Sequence, residues 1–161
     1  MTKESDILTA LMCLQNRVDQ LIAFFRQELD FSEMIYEYWS ARDILGHLTF
    51  WHESFSRNLS DLSNGKTPNP LKGKLSEVNR MSVETTRGIA IDVLIDRLCI
   101  AQNTINKHIL NTSISSIPYK KGSRDYSRHE HLTVVADHFK RHLKDLHKKY
   151  KLNYAETKNK S

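Results

Sequence analysis

The chain has 161 residues and a formal charge of +5, from 24 Lys and Arg against 19 Asp and Glu. That length suits one domain burying about two-thirds of its unfolded surface, which needs no disulfide or metal staple to hold a core. Hydrophobic residues at 39% and charged residues at 27% exclude a disordered chain, and the few Gly and Pro are bunched together, which favours long helices.

The first residues, Met-Thr-Lys-Glu-Ser-Asp, are polar and acidic where a secretory signal would be basic and then apolar. No apolar run approaches the ~20 residues that span a bilayer. Cys13 and Cys99 fall in different predicted helices without CxxC spacing. A disulfide framework or a cysteine zinc site is therefore not expected, and a reducing cytoplasm is the expected setting.

From Ser5 to Leu29, apolar residues at Ile7, Leu11, Leu14, Val18, Leu21, Phe25 and Leu29 step by three and four and mark one helix face. Asp30 to Tyr38 reads as a connection, with Phe31, Met34, Ile35 and Tyr36 plugging one end of the core. The second helix has Ser40 as N-cap and Asp43 three positions on, a variant of the capping box. Its stripe runs through Ile44, Leu48, Trp51, Phe55, Leu59 and Leu62 to a stop at Asn64-Gly65, and the stretch through Gly73 is loop by composition.

A third helix is predicted from about Ser82 to Ile109, with Gly88 weakening its early part and Thr85-Thr86 allowing a later start. Asn111 to Arg128 forms a second long connection, and a fourth helix spans roughly His129 to Tyr150. The expectation is an all-α four-helix bundle over residues 1–151, with long loops after helices two and three and a polar, fraying tail at 152–161.

Eight histidines carry the chemical signal. His138 and His142 are four apart, about 40° around a helix, so both sit at one edge of the Val135–Phe139–Leu146 stripe. His47 lies at the matching edge of the second helix. His52, five residues on and roughly 140° away, falls within the stripe, where packing and one hydrogen bond would satisfy it. From spacing alone, ordinary unmetallated helix-edge histidines are the favoured reading for any one of them and still for the three together. The alternative is that three neutral imidazoles on two helices hold a divalent ion of the Zn, Ni or Fe class and leave it an open coordination position. His131 shares the side of His142 and is a possible substitute ligand, while His108, His129 and His147 read as surface groups. Trp39, Trp51, His52 and Tyr126 are expected to line the pocket. Asp137 or Glu53 is available to orient a histidine or act as a base, and no catalytic residue is assigned.

The stretch W-S-A-R-D-I-L-G-H-L resembles the second-helix signature of the DinB/YfiT-like superfamily of four-helix bundles. Its continuation T-F-W-H, with G-K-L-S-E-V-N-R, is most similar to the ClbS/DfsB branch. The resemblance implies a divalent metal held by one helix-two histidine and a helix-four HxxxH pair, which fall on His47, His138 and His142. It also implies chemistry on small reactive electrophiles, by hydrolysis or by transfer from a low-molecular-weight thiol cosubstrate. The resistance branch carries a Ser-His-Tyr-type stretch in helix four, whereas this chain reads Asp137-His138-Phe139-Lys140-Arg141-His142. Helix two thus points to metal-independent genotoxin protection by cyclopropane opening, and helix four to the metal-binding type.

The expected partner is a small-molecule substrate, with a homodimer as a further possibility and no membrane. A non-catalytic ligand- or nucleic-acid-binding role is the competing expectation. It rests on Lys120, Lys121, Arg124 and Arg128 interleaved with Tyr119 and Tyr126, and on the basic last helix.

Overall fold

The computed structural model describes the backbone of residues 2–159 and the side chains of residues 2–150. These residues form five helices and no strand: α1 (Glu4–Phe25), α2 (Ala41–Ser63), α3 (Leu75–Glu84), α4 (Ile91–His108) and α5 (Arg128–Asn159). The sequence reading places a helix end near Tyr150 and a polar, fraying tail at 152–161, but the backbone of α5 runs on through Asn159; the side chains of that stretch lie outside those described. Among the described residues no helix is long and apolar enough to cross a membrane.

The apolar stripes do the assembly. Leu14 and Leu21 of α1, Ile44, Leu48 and Leu59 of α2, Leu94, Leu98 and Ile105 of α4, and Phe139 and Leu146 of α5 are buried in one core. Each such side chain contributes about 1.5–3 kcal/mol by leaving water. α2 packs chiefly on α4 and α1 on α5, with α3 laid against α2. Cys13 and Cys99 are free, as their separation in sequence suggests.

Three further boundaries differ from the sequence reading. α1 ends at Phe25 rather than Leu29, because Phe24 and Phe25 pack on Phe31, with ring centroids 5.7 and 4.8 Å away, and the chain turns back to make those contacts. Leu29 is left exposed at the turn. The helix predicted from Ser82 to Ile109 is two helices, α3 and α4. They are split at Gly88, whose φ of 82° is costly for any residue with a Cβ. Finally, the connection after α2 is shorter than expected, since Leu75 to Ser82 already belongs to α3.

The predicted cap of α2 is present: Ser40 Oγ accepts from Asp43 N at 3.3 Å, and the Asp43 carboxylate accepts from Ser40 N at 3.0 Å. The 31–40 connection is stapled onto this helix start by Ala41 N–H donating to Glu33 O and by Ile35 and Tyr36 N–H donating to Trp39 O. Those bonds fix where the Tyr36 and Trp39 side chains stand.

A buried glycine sets the distance between α2 and α3. A Cβ on Gly46 would lie 2.0 Å from Thr86 Oγ1 and 2.7 Å from its Cβ, and Thr86 is itself held by donating to Ser82 O at 2.7 Å. Gly46 therefore lets the end of α3 close on α2 immediately beside His47. Gly46→Ala should cost about 1–3 kcal/mol from overpacking. Chemical denaturation of the variant checks this, and unchanged stability would show that Thr86 gives way freely.

Candidate metal centre

His47 of α2 meets His138 and His142 of α5 in a cluster whose ligand atoms all lie within 4.8 Å of one another. His47 Nε2 is 3.1 Å from His138 Nε2, and His142 Nε2 is 3.0 Å from the same atom. Nitrogens bound to one ion at about 2.0–2.1 Å stand roughly 2.9–3.4 Å apart, depending on the angle. The two observed separations fall in that range.

The outer hydrogen bonds fix which way the lone pairs point. Ser82 Oγ donates to Asn79 O, so it must accept at its 2.9 Å contact with His47 Nδ1. His47 therefore carries its hydrogen on Nδ1 and turns a bare Nε2 inward. On the opposite side, the Tyr36 hydroxyl donates to the Asp145 carboxylate, so it accepts at its 2.9 Å contact with His142 Nδ1. Burial, followed by that carboxylate, raises the phenol's pKa and keeps its proton on. His142 likewise presents a bare Nε2. His138 Nε2 can carry one hydrogen for two facing lone pairs, and one pair of nitrogens stays in repulsion. A shared cation removes that repulsion, and Ser82 and the Tyr36–Asp145 pair are the outer partners that metal-bound imidazoles use.

Burial also keeps the cluster neutral. It pushes His47 down to about 2, His138 to about 3 and His142 to about 4; neighbouring imidazoles and Arg141 add to this at His47 and His138, while at His142 Arg141 adds to it and Asp145 opposes it. Three neutral nitrogen donors suit a borderline ion of the zinc type better than a hard oxygen-seeking one. The Trp39 ring covers His47 at 4.6 Å between centroids and shields that side. A cleft of about 330 Å³, lined by Leu75, Asn79, Tyr119, Val134, Asp137 and Arg141, opens beside His138 and provides an approach.

The other residues singled out in the sequence are dispersed. Trp39 stands at the cluster. Trp51 lies further along α2, donating from Nε1 to Asn79 Oδ1 at 2.9 Å and stacking on Tyr119 at 5.0 Å. His52 is buried against α4, its Nε2 at 2.7 Å from Gln102 Oε1. Tyr126 is half-buried under Arg124, which sits 4.3 Å above its ring, and it lines neither the cleft nor the cluster. His131 stacks on Phe55 at 4.0 Å and is not a substitute ligand. It shares an azimuth with His142, but eleven residues separate the two levels by about 16 Å of helix. Of the expected surface histidines, His147 is exposed, while His108 and His129 are half-buried.

Neither proposed carboxylate orients a ligand. Glu53 is held by Arg97, at 3.1 Å to Nε and 2.5 Å to Nη2, and joins α2 to α4. Asp137 is exposed in the cleft wall. The carboxylate that does reach the cluster is Asp145, through Tyr36. Its position three residues after His142 places it on the same face and was a usable signal. Tyr36 and Ser82 had none, because both lie on segments whose placement depends on docking against α2. Tyr36→Phe leaves the buried His142 Nδ1–H without its acceptor, at a cost of about 1–3 kcal/mol, and should lower divalent-metal affinity about 10- to 100-fold. Competition against a chromophoric chelator measures this, and wild-type affinity in the variant would remove Tyr36 from the centre.

Within the basic loop Arg128 is committed to the fold, donating to Ile109 O, Ile114 O and the Glu4 carboxylate, whereas Arg124 makes an exposed ion pair with Glu130 at 2.9 Å. Comparisons with protein-family models, with curated proteins and with solved structures find no match to this chain, so the geometry of the centre carries the functional argument.

Proposed function

We propose that the protein is a metal-dependent enzyme acting on a small reactive electrophile, by hydrolysis or by transfer from a low-molecular-weight thiol. The observation that carries this reading is the convergence of three Nε2 atoms, two with their lone pairs aimed inward by Ser82 and by Tyr36. On this reading the four long helices are a four-helix bundle of the DinB/YfiT type, with α3 inserted between α2 and α4. That assignment rests on the resemblance of the W-S-A-R-D-I-L-G-H-L stretch.

His47, His138 and His142 would hold the ion. When bound, a zinc-type ion supplies Lewis acidity and lowers the pKa of a nucleophile at its open position. The chain supplies the rest. Ser82 and Tyr36 hold the two outer imidazoles in register, and Trp39 excludes water from behind His47. The exposed Arg141 guanidinium beside His138 favours a substrate that develops negative charge in the cleft.

The test is consumption of epoxides and maleimides by zinc-loaded protein, with and without a low-molecular-weight thiol. The expected result is turnover that His138→Ala loses while remaining folded. Equal rates for the two proteins would reject a metal-centred reaction. The competing nucleic-acid reading predicts salt-sensitive retention on DNA or RNA, and the commitment of Arg128 to Glu4 and to backbone carbonyls weighs against it.

A further inference from the structure

Arg141 is an unpaired charge beside the centre. It follows His138 by three residues on α5, so the two share a face, and both line the same cleft. An exposed arginine on a helix ordinarily pairs with a carboxylate one turn away. Two carboxylates stand at that distance and neither takes it. Asp145 receives the Tyr36 hydroxyl, and Asp137, four residues before Arg141, makes no ion pair with it. Among the described residues the guanidinium has no hydrogen bond either. Its charge is felt at the Tyr119 phenol and at His138 and His142, which sets it between the cleft's aromatic wall and the histidines.

Two further donors line this cleft. Trp51 Nε1–H can only donate, so its partner on Asn79, at 2.9 Å, is the amide oxygen, and the amide nitrogen is the free end. No acceptor meets that nitrogen among the described residues, and none meets the Tyr119 hydroxyl. The Tyr119 ring is held by its stack on Trp51, and its loop by Lys121 N–H donating to Leu71 O at 2.8 Å. Leu75 and Val134, large apolar groups left exposed, complete the lining. One cleft of about 330 Å³ therefore carries three unpartnered donors, one of them cationic, beside apolar surface. Asp137 is the one carboxylate on its wall, and it also lines a depression toward α1 with Asp6 and Thr133, so it stands at the rim.

We propose that this cleft is a carboxylate subsite: Arg141 pairs with the carboxylate of a small organic acid, Asn79 and Tyr119 donate to its oxygens, and Leu75 and Val134 receive its apolar body. A planar anion matches the guanidinium fork, which a spherical halide does not. Naming that acid as the substrate rests on the metal-centred reading, under which the electrophile carries a carboxylate. The anion site itself does not rest on it, because neither Arg141, Asn79 nor Tyr119 is a cluster ligand.

The test titrates benzoate, and benzamide as its neutral isostere, into the full chain, both chelator-treated and zinc-loaded, and follows the two indole N–H signals by NMR. Trp51 reports on the cleft through Asn79 and Tyr119, and Trp39 on His47. The expected result is saturable benzoate binding that moves the Trp51 signal in both forms, about ten-fold tighter than benzamide. Arg141→Met changes an exposed side chain and should erase that preference, while Arg141→Lys should keep part of it. Asn79→Asp retains an acceptor for Trp51 but removes the donor, and should erase it as well. Asp137→Asn should tighten benzoate about two- to five-fold. Equal binding of the two probes to chelator-treated protein, or a preference unchanged in Arg141→Met, would overturn the proposal. Benzoate that binds only with zinc present and ignores Arg141→Met would do the same, since the ion itself would then hold the carboxylate. A chain that takes up no zinc yet prefers benzoate through Arg141 keeps this site and rejects the metal reading instead.

Discussion

Removing divalent metal from the wild-type protein should lower its melting temperature by about 5–10 °C, whereas His138→Ala should melt at the same temperature with and without chelator. A ligand present at ~100 times its Kd adds about 2.7 kcal/mol, and a domain of this size shifts by ~2–4 °C per kcal/mol. His138 is the informative position. Its Nε2 is the shared neighbour of both other nitrogens, so its loss leaves two ligands and abolishes a three-point site. In the metal-free state the same substitution removes a repulsion between facing lone pairs, and it should therefore cost little stability. His47→Ala is less clean, because it also strips packing from Trp39 and leaves buried Ser82 without its imidazole partner. Calorimetry with Zn²⁺, Ni²⁺ and Fe²⁺ supplies the stoichiometry. No saturable uptake by wild type, or uptake that persists in His138→Ala, would dispose of the three-histidine centre.

The second large effect is acid lability of the metal-free protein. His47, His52, His131, His138 and His142 are all held below their ordinary value of 6.5, to about 2, 4, 3, 3 and 4, with burial the leading cause in each. The neutral form is the folded form. Unfolding returns each ring to 6.5, where it takes up a proton as the pH falls. Stability is therefore fully present above about 6.5 and is lost on acidification toward the folded values. Each ring contributes up to about 1.4 kcal/mol per pH unit in that window. Five acting together set a steep ceiling against a total stability of about 5–15 kcal/mol. Urea unfolding at successive pH values should show stability falling sharply between about pH 7 and about pH 5. In His131→Phe the slope should drop by one proton. Stability that is flat across this range would mean that the rings are already solvated, contrary to the burial from which the effect is derived.

Much of the helical content was legible because helix formation writes itself locally. The steps of three and four from Ile7 to Phe25, the Ser40–Asp43 cap and the stop at Asn64-Gly65 each involve residues within a turn or two of one another. Leu29 and the span from Ser82 to Ile109 misled for a common reason. Apolar spacing continues past the point where the backbone turns, and what turns it is a contact between distant residues or the left-handed conformation of Gly88. The short α3 was hidden because its stripe of Val78, Ser82 and Val83 includes a serine that is buried by docking against His47.

The histidines divide along the same line. Spacing alone placed His138 and His142 on one edge of α5 and separated His47 from His52 around α2, since angles on one helix follow from counting residues. Azimuth without height also suggested His131, which only the assembled helices remove, because the level at which α2 crosses α5 is set by packing across the core. The tautomers of His47 and His142, the occupied carboxylate of Glu53 and the Gln102 partner of His52 depend on residues 35 to 109 positions away in the chain. What the sequence determined by itself was the set of helices and the faces that carry imidazoles. Which lone pairs meet was decided only in the tertiary structure, because hydrogen-bond direction is a property of neighbours in space rather than in sequence.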